Sequence, residues 1–334
     1  MNETNNFSQK IVIIGDVILD AISSPFPIKK EMLLNESETL VDSIKYQRGG
    51  CAGNFASVYK SVFPSSDIHL VSRIGMNPFG DFLINEFQSQ NINCYFNQDL
   101  TCPTQTSLAI TYSNGKRHFI TSLGGLAKFN IDDVPKDILI DAHHVAYRGI
   151  WFSEKLLLQA EKLLIWLKEN TSASISLDLG FDPFWNLPNV YKEETISKIR
   201  RKSLLNILKY VDILFGNESE ICTLTENYIL ESAVDELISK GAKLIVVHQG
   251  EKGSSIYQLN SAKNEVKVKK RNFPALPVEI VNPVGSGDTF DSIIIGYLLK
   301  GISIENAVKY ATKGASYSIS NLPGSSITRN IIES

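Results

Sequence analysis

Four consecutive apolar residues, Ile11-Val12-Ile13-Ile14, run directly into Gly15-Asp16. A strand apolar on both sides needs cover on both sides, which a parallel sheet between two helical layers provides. Further strands are expected at 68–74, 144–147, 174–179, 211–215 and the very apolar 243–247. Between these runs lie stretches with helical periodicity, at 153–170, 192–210 and 232–240, and a last helix is expected over 304–320. Such alternation predicts an α/β fold, a doubly wound, mostly parallel sheet flanked by helices. With no internal repeat, low-complexity segment or linker, residues 1–334 read as a single domain.

One segment departs from this rhythm. Residues 106–113 and 116–122 alternate in polarity around Asn114-Gly115, the strongest short hairpin signal. Rich in Thr and Ser, this hairpin predicts a small antiparallel flap outside the main sheet.

Composition excludes several classes. A formal charge of −3 gives no reason to expect nucleic acid or an anionic membrane as partner, and basic runs such as 267–271 read as solvated faces. The cysteines at 51, 94, 102 and 222 show no zinc spacing and are too few for a disulfide framework, which suits a reducing compartment. The N-terminus is polar, and no apolar run of about 18 residues occurs, so a soluble, cytoplasmic protein is expected.

The chemistry concentrates near the C-terminus. Val281-Asn282-Pro283-Val284-Gly285-Ser286-Gly287-Asp288 leads into an apolar run over 290–299. Small residues at a helix start leave backbone N–H groups bare at the positive end of the helix dipole, a site for an anion such as phosphate. A carboxylate there would repel phosphate, unless Asp288 takes a proton from a hydroxyl that attacks the bound phosphorus. The competing reading is an Asp that caps the helix. Asp16 and Asp20 follow the first strand, where open α/β sheets bind ligands. For Asp16 a turn or helix cap is preferred, and for Asp20 a site. Gly49-Gly50 permits close backbone approach before a helix through about residue 63, and Asn54 in its first turns could serve a polyhydroxyl ligand or act as an N-cap.

In order and spacing these motifs resemble the ribokinase-like (PfkB-type) sugar kinases, along nearly the whole chain. Gly285-Ser286-Gly287-Asp288 is similar to that family's C-terminal signature. The resemblance implies that Asp288 is the catalytic base and that the amides of Gly285, Ser286 and Gly287 form an anion hole. Gly49-Gly50 with Asn54 matches the N-terminal signature, implying sugar contacts, and Asp20 matches an acid that binds sugar hydroxyls. Asn217-Glu218-Ser219-Glu220 resembles the Asn-x-x-Glu element, so Glu220 would organise Mg²⁺ through water and Asn217 would lie near the nucleotide phosphates. Gly250 and Gly253 resemble the loop that passes ATP, and Thr312 the adenine pocket. Residues of about 17–48 and 104–124 would form a β-lid over the sugar, and the family suggests a lid-mediated homodimer that no residue here decides.

Departures from the pattern bear on the substrate. Asn282-Pro283 stands where the family usually has Asp-Thr, and that Asp ligates ribokinase's monovalent cation, which puts K⁺ activation in question. Asn77 replaces a common Asp, and His248-Gln249 replaces the usual Thr-Leu before Gly250. The implied activity is ATP- and Mg²⁺-dependent phosphorylation of a sugar hydroxyl. Rivals are a nucleoside kinase, a phosphosugar kinase and, from another class, a sugar-binding regulator without catalysis. A phosphosugar kinase would need cations over the acceptor; Lys45, Arg48, Arg117 and Arg148 are candidates, with a surface role preferred for each. A Gly-x-x-x-x-Gly-Lys-Ser/Thr phosphate loop is absent from the sequence.

Overall fold

The first strand sets the layers: Val12 and Ile14 pack to one side of the sheet, Ile11 and Ile13 to the other. In the computed structural model, which describes residues 9–27, 38–113, 117–182, 191–262, 265–281, 284–321 and 325–334, this strand is β1, Lys10–Ile14. The chain continues through β2 (Ile18–Ser23), β3 (Ile44–Gly49), α1 (Cys51–Val62), β4 (Asp67–Gly75), α2 (Pro78–Gln88) and β5 (Asn93–Asp99). Next come β6 (Thr106–Thr111), β7 (Arg117–Ser122), β8 (His144–Tyr147), α3 (Glu154–Asn170), β9 (Ser174–Asp178) and α4 (Tyr191–Ile207). The remainder is β10 (Ile213–Asn217), α5 (Glu218–Thr225), α6 (Leu230–Ser239), β11 (Leu244–His248), β12 (Ser254–Ala262) and β13 (Glu265–Phe273). Three helices, α7 (Ser286–Leu299), α8 (Ile304–Ser320) and α9 (Arg329–Glu333), end it.

The main sheet has nine strands in the order β13-β12-β11-β10-β9-β8-β1-β4-β5. It is parallel from β11 to β5, with β12 and β13 added antiparallel at one edge. One apolar layer joins it to α3, α5 and α6 through residues such as Leu163, Leu224 and Leu237. The other joins it to α1, α2, α7 and α8, with Phe55, Phe87, Ile294 and Val308 buried there. Thr289 to Tyr297 of α7 are all buried, as expected of a helix apolar on every side. A Cβ on Gly296 would meet the Phe63 ring at 1.9 Å, so only glycine lets α1 and α7 approach so closely.

The helices predicted from periodicity are present, within a few residues of their expected ends. Ser153 caps α3 by accepting from the Leu156 amide at 3.3 Å, and Ser303 caps α8. Asn77 caps α2, its Oδ1 accepting from the Gly80 amide at 3.0 Å and from the Thr104 hydroxyl at 2.7 Å. At this position the departure from the family pattern still meets a structural need.

A second, four-stranded sheet has the order β3-β2-β6-β7. Its outer pairs, β2–β3 and β6–β7, are antiparallel hairpin-type pairs, and β2 pairs parallel with β6 to join them. The Asn114-Gly115 turn lies outside the described residues. Strands β2, β3 and β5 lacked a clear sequence signal for physical reasons. β3 is mostly exposed Ile-Lys-Tyr-Gln-Arg, and β5 is an edge strand carrying Asn93, Asn97 and Gln98. No helix among the described residues is long and apolar enough to cross a membrane.

Candidate active site

Because the central strands run parallel, their C-terminal ends converge on one rim, where such sheets hold ligands. β1 delivers Asp16, β8 delivers Arg148, and β9, β10 and β11 end at Asp178, Asn217 and His248. The N-terminus of α7 faces the same rim. Its N-cap, Gly285, has φ +76°, a conformation glycine adopts without strain, and no side chain among the described residues caps the helix. The backbone amides of Gly285–Gly287 thus lie at the positive end of the helix dipole.

Asp288 lies in the first turn of α7, and its Oδ2 accepts from Asn54 Nδ2 at 3.0 Å. That bond links the two glycine signatures, 234 residues apart in sequence. Asn54 is thus not an N-cap; the N-cap of α1 is Gly50, at φ +86°. Burial raises the Asp288 carboxyl well above the ordinary range and nearby Asp178 adds to the rise, against the opposing pull of Arg148 and the Asn54 bond. Asp20, Asn54 and Gly285 line one cavity of about 440 Å³, together with Gln47, Arg48 and Glu86. Gly49 lies beneath Asp20, where a Cβ would fall 2.1 Å from Oδ2. Burial, then repulsion from Asp16, raises Asp20 to about 7.

Asp16 behaves as the cap its local sequence suggested. Its oxygens accept from the Cys51 amide at 2.9 Å and the Ala52 amide at 3.1 Å, fixing the start of α1. Cys51 Sγ and carboxylate oxygens of Asp178 and Asp288 lie within 4.8 Å of one another. Burial and those carboxylates push the Cys51 thiol well above its usual value, which keeps it protonated. All four cysteines are free.

Arg148 overturns the surface role expected of it: it is fully buried. Its NH1 pairs with Asp291 Oδ2 and lies 3.9 Å from Asp178 Oδ2, and its guanidinium stacks 4.4 Å from the Phe55 ring centre. Asp291, 1% exposed, also accepts from His248 Nε2 at 2.7 Å. Burial would lower the His248 imidazolium's pKa, but Asp291, with Asp178 and Glu220, outweighs it and raises the group to about 9. Asp178 is raised to about 7, chiefly by burial, with Arg148 opposing. Sequence reasoning missed this Arg148–Asp291–His248 chain and the position of Asp178. The signals were an acid inside the apolar run after Asp288 and an arginine ending a fully buried strand.

The other predicted residues do not line the cavity. Asn217 and Glu220 lock each other in a capping box, Asn217 Oδ1 accepting from the Glu220 amide and Glu220 Oε2 from the Asn217 amide, both at 2.8 Å. Among the described residues nothing engages Glu220 Oε1, and burial, with Asp291 adding, raises this carboxyl. Gly250 (φ +56°) is exposed with open space around it, whereas Gly253 (φ +94°) packs against the Phe273 carbonyl. The Thr312 hydroxyl donates to Val308 O at 2.8 Å within α8. Asn282 lies outside the described residues, as does the Arg117 side chain; Lys45 is exposed.

A family model, pfkB family carbohydrate kinase, matches residues 8–327. The chain belongs to the pfkB family of carbohydrate kinases. Adenosine kinase from Schizosaccharomyces pombe is 25% identical over 283 residues, covering 79% of this chain and 77% of that enzyme. Cytidine kinase from Thermococcus kodakarensis is 36% identical over 128 residues, 37% of this chain and 42% of its own length. A solved Escherichia coli protein, provisionally named ribokinase II and in complex with ATP and Mg²⁺, superposes with a TM-score of 0.79. It shares 22% identity, over 97% of this chain and 98% of that one. The fold of this carbohydrate kinase is therefore ribokinase-like.

Proposed function

We propose that this kinase transfers the γ-phosphoryl group of ATP to a sugar hydroxyl, with Asp288 as the base and the Gly285, Ser286 and Gly287 amides as the anion hole. The observation that carries the reading is the Asn54–Asp288 bond beside the cavity lined by Asp20, Asn54 and Gly285. Asn54 occupies Asp288 Oδ2, leaving Oδ1 to accept the acceptor's O–H. As the acceptor oxygen bonds to Pγ, its proton passes to Asp288. The bond from Pγ to the β–γ bridging oxygen breaks, and ADP departs with that electron pair. A carboxyl whose pKa is raised holds the proton until water takes it. Positioning and electrostatics supply most of the acceleration.

Asp20, Gly49, Gly50 and Asn54 bind the sugar in this reading, and Asn217, Gly250, Gly253 and Thr312 the nucleotide. Glu220 suits a divalent cation: it keeps one oxygen without a protein partner among the described residues, in a surplus of buried carboxylates. Glu220 would hold Mg²⁺ through water, and the ion would supply charge neutralisation at the phosphate oxygens. The four-stranded sheet is the lid, closing over the acceptor to exclude water. A homodimer through that sheet belongs to the same reading, favoured by exposed Ile44, Phe119 and Ile120.

A phosphorylated or acidic sugar is the second reading, because Arg48 lines the cavity and makes no ion pair among the described residues. The nucleoside-kinase reading is motivated by the adenosine and cytidine kinase relatives. The test is ADP release from Mg²⁺–ATP against neutral sugars, sugar phosphates, sugar acids and nucleosides. Acceptor-dependent ADP with a sugar supports the proposal. A response to nucleosides alone replaces the acceptor class, and no response to any acceptor favours a non-catalytic sugar-binding protein.

A further inference from the structure

The carbohydrate-kinase site uses no lysine of a phosphate loop, and apart from the divalent cation proposed at Glu220 no cationic side chain is assigned to the transferred phosphate by the residues discussed so far. His248 stands where one is needed. It ends β11 on the rim, and its ring edge bearing Nδ1 and Cε1 is the nearest neighbour of Gly287: a Cβ built there would lie 3.6 Å from each of those two atoms. The opposite nitrogen, Nε2, is held by Asp291 at 2.7 Å, and Asp291 is itself anchored by buried Arg148. Phe290 meets the imidazole edge to face at 5.3 Å between ring centres, and Phe215 lies parallel to it at 6.4 Å. The ring is therefore clamped at one nitrogen and packed by two aromatic rings. Among the described residues nothing accepts from Nδ1, and the side chain keeps 21% of its surface exposed.

We propose that His248 donates a hydrogen bond from Nδ1 to a non-bridging oxygen of the transferring γ-phosphoryl group, beside the Gly287 amide. The inference rests on the anion-hole reading of Gly285–Gly287 and adds a donor to it. His248 forms no covalent bond and gives up no proton; it contributes an N–H and, when protonated, a positive charge. Support comes from its surroundings, in which Asp291, Asp178 and Glu220 outweigh burial and raise the imidazolium to about 9. A preorganised charged donor at the point where negative charge develops is the type of contact that lowers a barrier rather than tightening ground-state binding.

The test compares wild type, His248→Gln and His248→Ala. The glutamine variant keeps an amide to donate to Asp291 and so preserves the clamp. Removal of one such donor should lower kcat by roughly 10²–10³-fold while the acceptor KM changes little. Binding of Mg²⁺–ADP and of Mg²⁺–ADP with aluminium fluoride, which occupies the transferred phosphoryl position, separates a phosphate contact from a structural role. Both variants should bind Mg²⁺–ADP as wild type does and lose affinity for the aluminium fluoride complex. Equal losses for both ligands, or a kcat within threefold of wild type, would overturn the proposal. Wild type that transfers no phosphoryl group at all would overturn the kinase reading and this donor with it, a result distinct from a variant that turns over normally.

Discussion

Replacing Asp291 by Asn should destabilise the enzyme far more than cutting an ion pair at the surface. Asp291 is the shared acceptor of Arg148 and His248, and both it and Arg148 are withdrawn from water. Two of the guanidinium's nitrogens, Nε and NH2, already lack partners among the described residues, so the Asp291 contact dominates what compensates the buried cation. Removing one partner of a buried pair costs about 3–5 kcal/mol because the other charge is left uncompensated. Asp178 at 3.9 Å and the stacking on Phe55 and Phe215 soften the loss, which sets the expectation at the lower end, ~3 kcal/mol. That is a large part of the roughly 5–15 kcal/mol that holds a typical domain folded. Urea unfolding at neutral pH, followed by tryptophan fluorescence and by circular dichroism, measures it, with the exposed Lys270–Glu231 pair as control. Glu231→Gln should cost under about 1 kcal/mol. An Asp291→Asn loss as small as the control's would refute the claim that Asp291 dominates the compensation of the buried Arg148.

Three further outcomes follow from the same site. Burial and Asp178 raise Asp288, and a base must be unprotonated to act, so kcat/KM should fall on the acid side at a pH above the ordinary carboxylate range; an acid limb near pH 4 would contradict this. Asp20→Asn should raise the acceptor KM roughly 10- to 150-fold. It should also stabilise the fold at pH 8, where the charged Asp20, raised to about 7, is penalised, and the gain should vanish below about pH 4. Unchanged KM would remove Asp20 from the acceptor site. His144, buried between the Ser174 and Ser176 hydroxyls, is lowered to about 3 chiefly by burial. Its folded pKa lies below its unfolded value, so the unfolded chain takes up the proton first as pH falls. From pH 6.5 to 5 wild type should lose ~1.6 kcal/mol relative to His144→Gln in urea titrations, and parallel curves would contradict the assignment.

The main sheet was legible because its strands are buried on both faces: four apolar residues in a row mark β1 and β11, and short runs rich in apolar residues mark β8 and β9. The helices between them carry amphipathic periods and serine caps that sequence shows directly. Of the second sheet, β6 and β7 were legible as an alternating hairpin, whereas β3 was not, since it shows its side chains to solvent and gains its pairing only from β2. In the site, glycine pairs and the acids following strands stood out through their small size and their place. Arg148, Asp178, Asp291 and His248 did not, because each is an ordinary charged residue until parallel strands bring their ends to one rim. Asp16 shows the converse: it sits at the rim, yet its oxygens serve the first amides of α1.

The central claim is that Asp288 accepts the proton of the attacking hydroxyl. Asp288→Asn keeps an oxygen to accept from Asn54 and removes the basic group. Measured with Mg²⁺–ATP and the best acceptor, kcat should fall about 10²- to 10⁴-fold, while Mg²⁺–ATP and acceptor still bind. A variant that binds both and turns over within a few-fold of wild type would show that the proton goes elsewhere.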